Sequence, residues 1–262
     1  MNIVDISPRY HSAYFACLEE WSDEIKEAGD HKSCWFNKYK DRGLRVKLAV
    51  EEGKGAVGMI QYLPAEESTI AGQGLYFILC IWVHGYPQGI GNHQKRGIGQ
   101  ALLQAAEADA KALGAKGMAA WGIWLPFWMR ASWFKKHGYG KADRQGLSLL
   151  LWKAFTAEAK PPRFIRKKKT PSSIPGKVAV TAFINGWCPA QGITHERARR
   201  ASGEFGDEVI FRTIDTSDNN TFLEWGISDA IFIDEKQVGW GPPLSYEKIR
   251  AAIQKRVKKL KG

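Results

Sequence analysis

Cysteine is scarce in this chain. The 262 residues hold four, Cys17, Cys34, Cys80 and Cys188, widely scattered and with no CxxC spacing. That excludes a disulfide framework and a thiolate zinc site, and no metal is expected. Long apolar runs are missing too: none reaches the roughly 18 residues of a membrane helix, so a membrane is not an expected partner. The opening stretch MNIVDISPRY has no secretory layout, and a cytoplasmic location is the expectation. Acidic residues fall short of basic ones, 27 against 38, for a formal charge of +11. Such an excess favours anionic partners. Much of it lies in RFIRKKK (163–169) and RAAIQKRVKKLK (250–261). The first is expected to be a solvated linker. The second forms the polar face of a helix with Ile249, Ile253, Val257 and Leu260 opposite. Nucleic acid is not expected, since charge alone argues for it.

What is present is a globular composition, 44% hydrophobic and 25% charged. A Pro-, Ser- and cation-rich seam separates two halves, giving expected domains at 1–156 and 177–262 with a linker at 157–176. In the first half the pattern predicts a strand over 2–6 and a helix over 12–27. Residues 44–51 and 56–63 alternate around Glu52-Gly53-Lys54-Gly55 and predict a hairpin. Residues 74–83 (GLYFILCIWV) are continuously apolar, as in a strand buried on both faces. Helical spacing from Ile98 to Leu113, a strand over 118–124, a helix over 128–136 and a closing strand over 147–153 follow. The second half reads as strand 178–184, helix 191–205, strand 209–215, a short helix near Phe222, strands 230–234 and 237–240, and helix 246–260.

The stretch NHQKRGIGQALL joins the apolar strand to the helix. A glycine turn at a helix start offers unpaired N–H groups and the positive end of the helix dipole, a place for phosphate. Lys95 and Arg96 add charge, and Gly97 and Gly99 allow close backbone approach. The dinucleotide fingerprint needs a third glycine where Gly99 is followed by Gln100-Ala101-Leu102, and a P-loop needs Gly-Lys-Ser/Thr. Both fail.

Gln94-Lys95-Arg96-Gly97-Ile98-Gly99 matches Gln/Arg-x-x-Gly-x-Gly/Ala, with an apolar strand before it and an amphipathic helix, a strand, WFKKHGY and LLLWKAF after it. In this the chain resembles the GNAT superfamily of acyl-CoA-dependent N-acyltransferases over about residues 1–155. The resemblance implies an α/β (α+β) fold with a mixed sheet and flanking helices. It also implies acetyl-CoA (coenzyme A) as co-substrate and a primary amine as acceptor, acylated by direct attack in a ternary complex. Ile81, Trp82 and Val83 would contact pantetheine, and Gln94, Lys95, Arg96, Gly97, Ile98, Gly99 and Gln100 the diphosphate. The Val83 N–H would polarise the thioester carbonyl. The link from Val83 to the turn is longer than usual in the family. Where the family carries a tyrosine acid this chain has Phe134, and 76–83 offers no carboxylate base. His84 is the candidate proton acceptor.

Eleven tryptophans are present. Trp121, Trp124, Trp128 and Trp133, with Phe127 and Phe134, read either as a packed core or as the wall of an acceptor channel. In the second half, Trp187-Cys188-Pro189 between a strand and a helix resembles half of a thioredoxin active site. The implied fold is a smaller thioredoxin-like domain, of the kind found in acetyltransferases with a YoaP-type C-terminal domain. Gln191 replaces the second cysteine and Asp229 stands near the family's cis-proline. Cys188 at a helix start is the candidate redox residue. The alternative reading is a thiol-redox or thiol-carrier protein built around Cys188, with a first domain that only senses coenzyme A.

Overall fold

The computed structural model describes residues 1–125, 129–239 and 241–261. The elements are β1 (Asn2–Asp5), α1 (His11–Phe15), α2 (Asp23–Lys26), α3 (His31–Tyr39), β2 (Arg45–Glu51), β3 (Gly55–Pro64), β4 (Ile70–Ala71), β5 (Leu75–Val83), α4 (Ile98–Ala112), β6 (Gly117–Ile123), α5 (Ala131–Lys136), β7 (Gly140–Gln145), β8 (Ser148–Ala154) and β9 (Arg163–Phe164). They continue with β10 (Val178–Ile184), α6 (Pro189–Gly203), β11 (Val209–Asp215), α7 (Asn219–Trp225), β12 (Ala230–Ile233), β13 (Lys236–Val238) and α8 (Tyr246–Lys261). The chain divides into two compact units. Unit 1 holds Met1–Trp21 and Asn37–Ile165; unit 2 holds Ser22–Phe36 and Arg166–Gly262. The N-terminal stretch expected in the first half thus gives residues 22–36 to the second unit. Among the described residues no helix is long and apolar enough to cross a membrane.

Unit 1 is a mixed sheet with flanking helices. Its strand order is β1-β2-β3-β5-β6-β8-β7, all antiparallel except the β5–β6 pair. Ile98, Leu102, Leu103, Ala106 and Ala110 of α4 bury one face against Val57, Ile60, Tyr62 and Ile78 of the sheet. Each large side chain so buried stabilises the fold by about 1.5–3 kcal/mol. Gly58 sets the spacing, because a Cβ there would lie 3.0 Å from Ile98 Cγ2 and 3.1 Å from Leu102 Cδ1. On the same helix Asp109 takes two bonds from Arg45, at 2.8 and 2.7 Å, one from Lys47 at 3.0 Å and one from the Tyr62 hydroxyl at 2.6 Å. Burial alone would raise its pKa. The bonds from Arg45, Tyr62 and Lys47 outweigh that and hold the carboxyl far below the usual range.

The helix expected over 12–27 stops after one turn. Cys17 and Leu18 adopt φ of 49° and 66°, and the Leu18 N–H closes back on the Ala13 carbonyl at 2.7 Å. A left-handed pair of this kind ends a helix as a glycine cap does. The expected linker is also partly folded. Arg163 and Phe164 pair with Ala71 and Ile70, and the Phe164 N–H donates to Asp143 at 2.9 Å.

In unit 2 the sheet order is β11-β10-β12-β13, with β10 parallel to β11 and antiparallel to β12. Val178, Val180 and Ala182 of β10 share a core with Ala198 and Ala201 of α6 and Ile249, Ile253 and Val257 of α8. Leu260, expected on that apolar face, is exposed. The cation run is solvent-exposed from Arg166 to Lys169, as expected, and two of its lysines also rest against aromatic rings. Lys169 lies 4.0 Å from the Trp225 ring centroid and Lys167 5.3 Å from that of Phe232. Glu27 receives Arg197 at 2.8 Å and Arg200.

Candidate active site

The β5–β6 pair explains the shape of the site. The two strands are in register only from Leu75↔Gly117 to Ile78↔Ala120. Beyond that, Trp121 and Gly122 pair with β8 alone, Ile123 pairs with β8 and bridges to Arg130, and Cys80 to Val83 pair with β3 alone. The strands part into a fork. A bulge lies at its apex: Gln61 opposes Cys80 and Tyr62 opposes Ile78, so Leu79 is the extra residue. The Leu79 carbonyl accepts the Trp121 indole N–H at 2.7 Å. Since the His84 N–H donates to the Val57 carbonyl, strand alternation turns the main-chain groups of Val83 and Ile81 away from β3, toward the fork. Along β6 the chain returns beside the strand. The Ile123 N–H donates to the Met129 carbonyl at 2.7 Å, and Gly122 permits this because a Cβ would meet Ala131 Cα at 2.8 Å.

The glycine turn stands at the end of the same strand. Gly97 caps α4 with φ of 77°, and Lys95 is also left-handed at 61°. The first bond inside α4 runs from the Ala101 N–H to the Gly97 carbonyl. The amides of Ile98, Gly99 and Gln100 therefore belong to the turn whose N–H groups helix geometry leaves without carbonyl partners. A Cβ on Gly97 meets nothing within 4 Å, and Gly99 faces Trp133 and Val83. Two of the expected diphosphate contacts are already engaged. The Gln94 N–H donates to Asn92 Oδ1 at 2.9 Å, and its side-chain amide reaches the Val83 carbonyl at 3.3 Å. Arg96 pairs with Glu51 at 2.9 Å and donates to His93 Nδ1 at 2.8 Å.

His84 is a correction. Its ring is fully buried. Nδ1 lies 2.8 Å from the Gly91 carbonyl, which can only accept, and Nε2 therefore accepts the Trp21 indole N–H at 3.0 Å. Neither nitrogen is left for an amine, so the expected proton acceptor is a structural imidazole that pins the long 84–93 loop. Its main-chain carbonyl also receives the His93 N–H at 2.9 Å. Around it gather Trp21 and Tyr86, with ring centroids 5.5 Å apart and 38% and 42% exposed. Trp82 lies 6.2 Å from Tyr86. Among the described residues the buried Trp82 Nε1 has no hydrogen-bond partner. Trp21 and Tyr86 escaped the sequence reading. Trp21 lies 63 positions from His84, and an aromatic near an acidic helix start carries no signal of its own.

The aromatic cluster expected after β6 divides. Phe134 is fully buried, packed on Trp133 and Tyr139 at 5.0 and 5.5 Å, and Trp124 is 67% exposed. Phe127 and Trp128 lie outside the described residues. In unit 2, Cys188 caps α6 with Pro189 in the first turn. It is only 7% exposed, which restricts reagent access to a thiol expected to be reactive. Asp229 accepts the Asn185 N–H at 2.9 Å, and its carboxyl is raised by burial. Among the described residues no peptide bond is cis, so Asp229 does not reproduce the cis-proline geometry.

The model of the Acetyltransferase (GNAT) family matches residues 7–139 of this sequence, half of the chain. The chain belongs to this GNAT family. A curated relative, YoaP of Bacillus subtilis (strain 168), named an uncharacterized N-acetyltransferase, is 28% identical over 181 residues. The match spans 66% of each protein's length. Among solved structures, a GNAT acetyltransferase from Staphylococcus aureus Mu50 is 15% identical, with 59% of this chain and 99% of that one covered and a TM-score of 0.45. A GNAT acetyltransferase from Brucella melitensis, solved with acetyl-CoA, is 16% identical, with 61% and 90% covered and a TM-score of 0.40. The GNAT match covers the fork, the glycine turn and α5, and stops at Tyr139.

Proposed function

We propose that unit 1 transfers an acyl group, acetyl in the first instance, from acyl-CoA to a primary amine. The observation that carries this reading is the fork. A strand edge with main-chain groups of Ile81 and Val83 turned outward ends beside a left-handed glycine turn and a helix start, so one site offers a hydrogen-bonding rail for an amide-bearing arm and amides for a diphosphate. The donors retained for the diphosphate are Gly97, Ile98, Gly99 and Gln100, with Lys95 adding charge. Gln94 acts by holding the Val83 carbonyl.

In this reading the acceptor nitrogen, as the neutral amine, attacks the thioester carbonyl, the C–S bond breaks and coenzyme A leaves as the thiolate, which solvent protonates. The Val83 N–H polarises the carbonyl oxygen. Positioning contributes the larger share of the rate. Phe134 gives no proton, and the leaving thiolate, near pKa ~8.5, departs unaided. With His84 committed on both nitrogens, the amine's proton passes to solvent. Trp21, Tyr86 and the unpaired indole N–H of Trp82 line the acceptor side.

Unit 2 we read as thioredoxin-like. A parallel pair extended by two antiparallel strands, with α6 following the first strand, supports this. Its buried Cys188 and the absent second thiol argue for a structural module more than a dithiol oxidoreductase.

Calorimetry with acetyl-CoA, followed by thiol release with a panel of primary amines, tests the proposal. Acetyl-CoA should bind in the micromolar range, and Gly97→Val should abolish that binding while the protein still melts cooperatively. A wild-type protein that binds no coenzyme A overturns it.

A further inference from the structure

Three ligand-type side chains of unit 2 converge. His31 Nε2 lies 2.9 Å and His195 Nδ1 3.1 Å from the same oxygen, Oε1, of Glu196. One ligand atom from each residue falls within 4.8 Å of the others. The two imidazoles meet edge to face with centroids 4.8 Å apart. A tetrahedral ion with bonds of about 2.0–2.1 Å sets neighbouring ligand atoms about 3.3 Å apart, within a few tenths of an ångström of the two short spacings.

The surroundings hold these groups as ligands are held. His195 is buried, and its far nitrogen Nε2 lies 2.9 Å from Thr213 Oγ1. The other oxygen of Glu196 takes two bonds from Arg199, at 2.9 and 2.7 Å. Outer contacts of this kind fix the orientation of a metal's ligands. The backbone is seated as well. A Cβ on Gly192 would lie 2.4 Å from the Ala28 carbonyl oxygen and 3.4 Å from the His31 ring.

We propose that His31, His195 and Glu196 bind a divalent transition-metal ion of the zinc class, with a fourth position open to water or an exogenous ligand. Two imidazoles and one carboxylate suit zinc, cobalt or nickel better than magnesium or calcium, which prefer all-oxygen shells. The ion takes the place of the protons that must otherwise separate two ring nitrogens from one carboxylate oxygen. Bound there, it ties residues 22–36 to α6.

The test uses the full chain, stripped with a chelator and titrated with Co(II) and Zn(II). Wild type should take up one ion, show visible d–d bands with cobalt and melt at a higher temperature with zinc. His31→Ala and the near-isosteric Glu196→Gln should each abolish the bands, with metal-free melting recorded alongside to separate ligand loss from misfolding. Thr213→Val should weaken zinc by about 10- to 100-fold. An ion-pair network only, with no saturable zinc uptake by wild type, overturns the proposal. So does zinc binding that survives the His31→Ala/Glu196→Gln double variant, or a cobalt spectrum dominated by thiolate charge transfer.

Discussion

The Trp121 indole donates to the Leu79 carbonyl across 2.7 Å at the point where β5 and β6 separate. Leu79 is the bulged residue, and its carbonyl faces the side on which β6 has stopped pairing. A side chain thus replaces the ladder at the apex, and the fork starts at a fixed residue.

Trp121→Phe removes that donor and leaves the carbonyl unpaired, a loss of about 1–2 kcal/mol. The variant should melt a few degrees lower and bind acetyl-CoA about threefold to tenfold more weakly, the part of the loss that the cleft feels. Melting and calorimetry on one preparation check this. A lower melting temperature with unchanged affinity would separate the apex from the cleft.

His84→Gln discriminates a structural from a catalytic imidazole. Breaking the bonds to Trp21 and Gly91 inside the core should destabilise by about 2–3 kcal/mol and raise KM for the amine through a loosened 84–93 loop. The acid-side limb of the pH–rate profile, where a general base would become protonated, should keep its midpoint. A limb that vanishes in the variant would restore His84 as the base.

Asp109 makes stability depend on acid. Its folded pKa lies below the unfolded value of about 3.9, so its contribution is complete above that unfolded value and disappears as pH falls through the folded one. Asp109→Asn should cost about 1–3 kcal/mol at neutral pH, because Arg45 and Lys47 lose a half-buried carboxylate and keep only the exposed Asp5. Urea melts of both proteins from pH 7 downward should converge at the acid end.

Gly58→Val addresses the seat of α4. With Ile98 and Leu102 already within 3.1 Å of a Cβ at this position, two further methyl groups push the helix start away from the strand, at about 1–3 kcal/mol. Acetyl-CoA affinity should fall with stability, because the amides of the glycine turn ride on that start.

The parts of the fold legible beforehand are those with a local physical cause. Residues 75–83 are apolar because both faces are covered, and the turn at 94–99 needs Gly97 for its left-handed backbone. The elements from β10 to α8 followed for the same reason, from strands bounded by clear turns. Residues whose state depends on distant partners were not legible. Cys17 and Leu18 have no left-handed signature, so the helix seemed to run on to Glu27. His84 resembled a base until Trp21 and Gly91 were placed on its nitrogens. Arg163 and Phe164 sit in a stretch with linker composition, and only pairing with Ala71 and Ile70 orders them. His31 and Glu196 are separated by 165 positions, so no spacing rule joins them.

The membership of Ser22–Phe36 in unit 2 bears on how the chain is made and cut. These residues leave the ribosome long before the rest of unit 2 exists, and Trp35 and Phe36 are buried in the finished protein. A fragment ending near residue 165 would carry that early piece with nothing to cover it, so severing the gene at the basic seam should yield two sticky halves instead of two working ones.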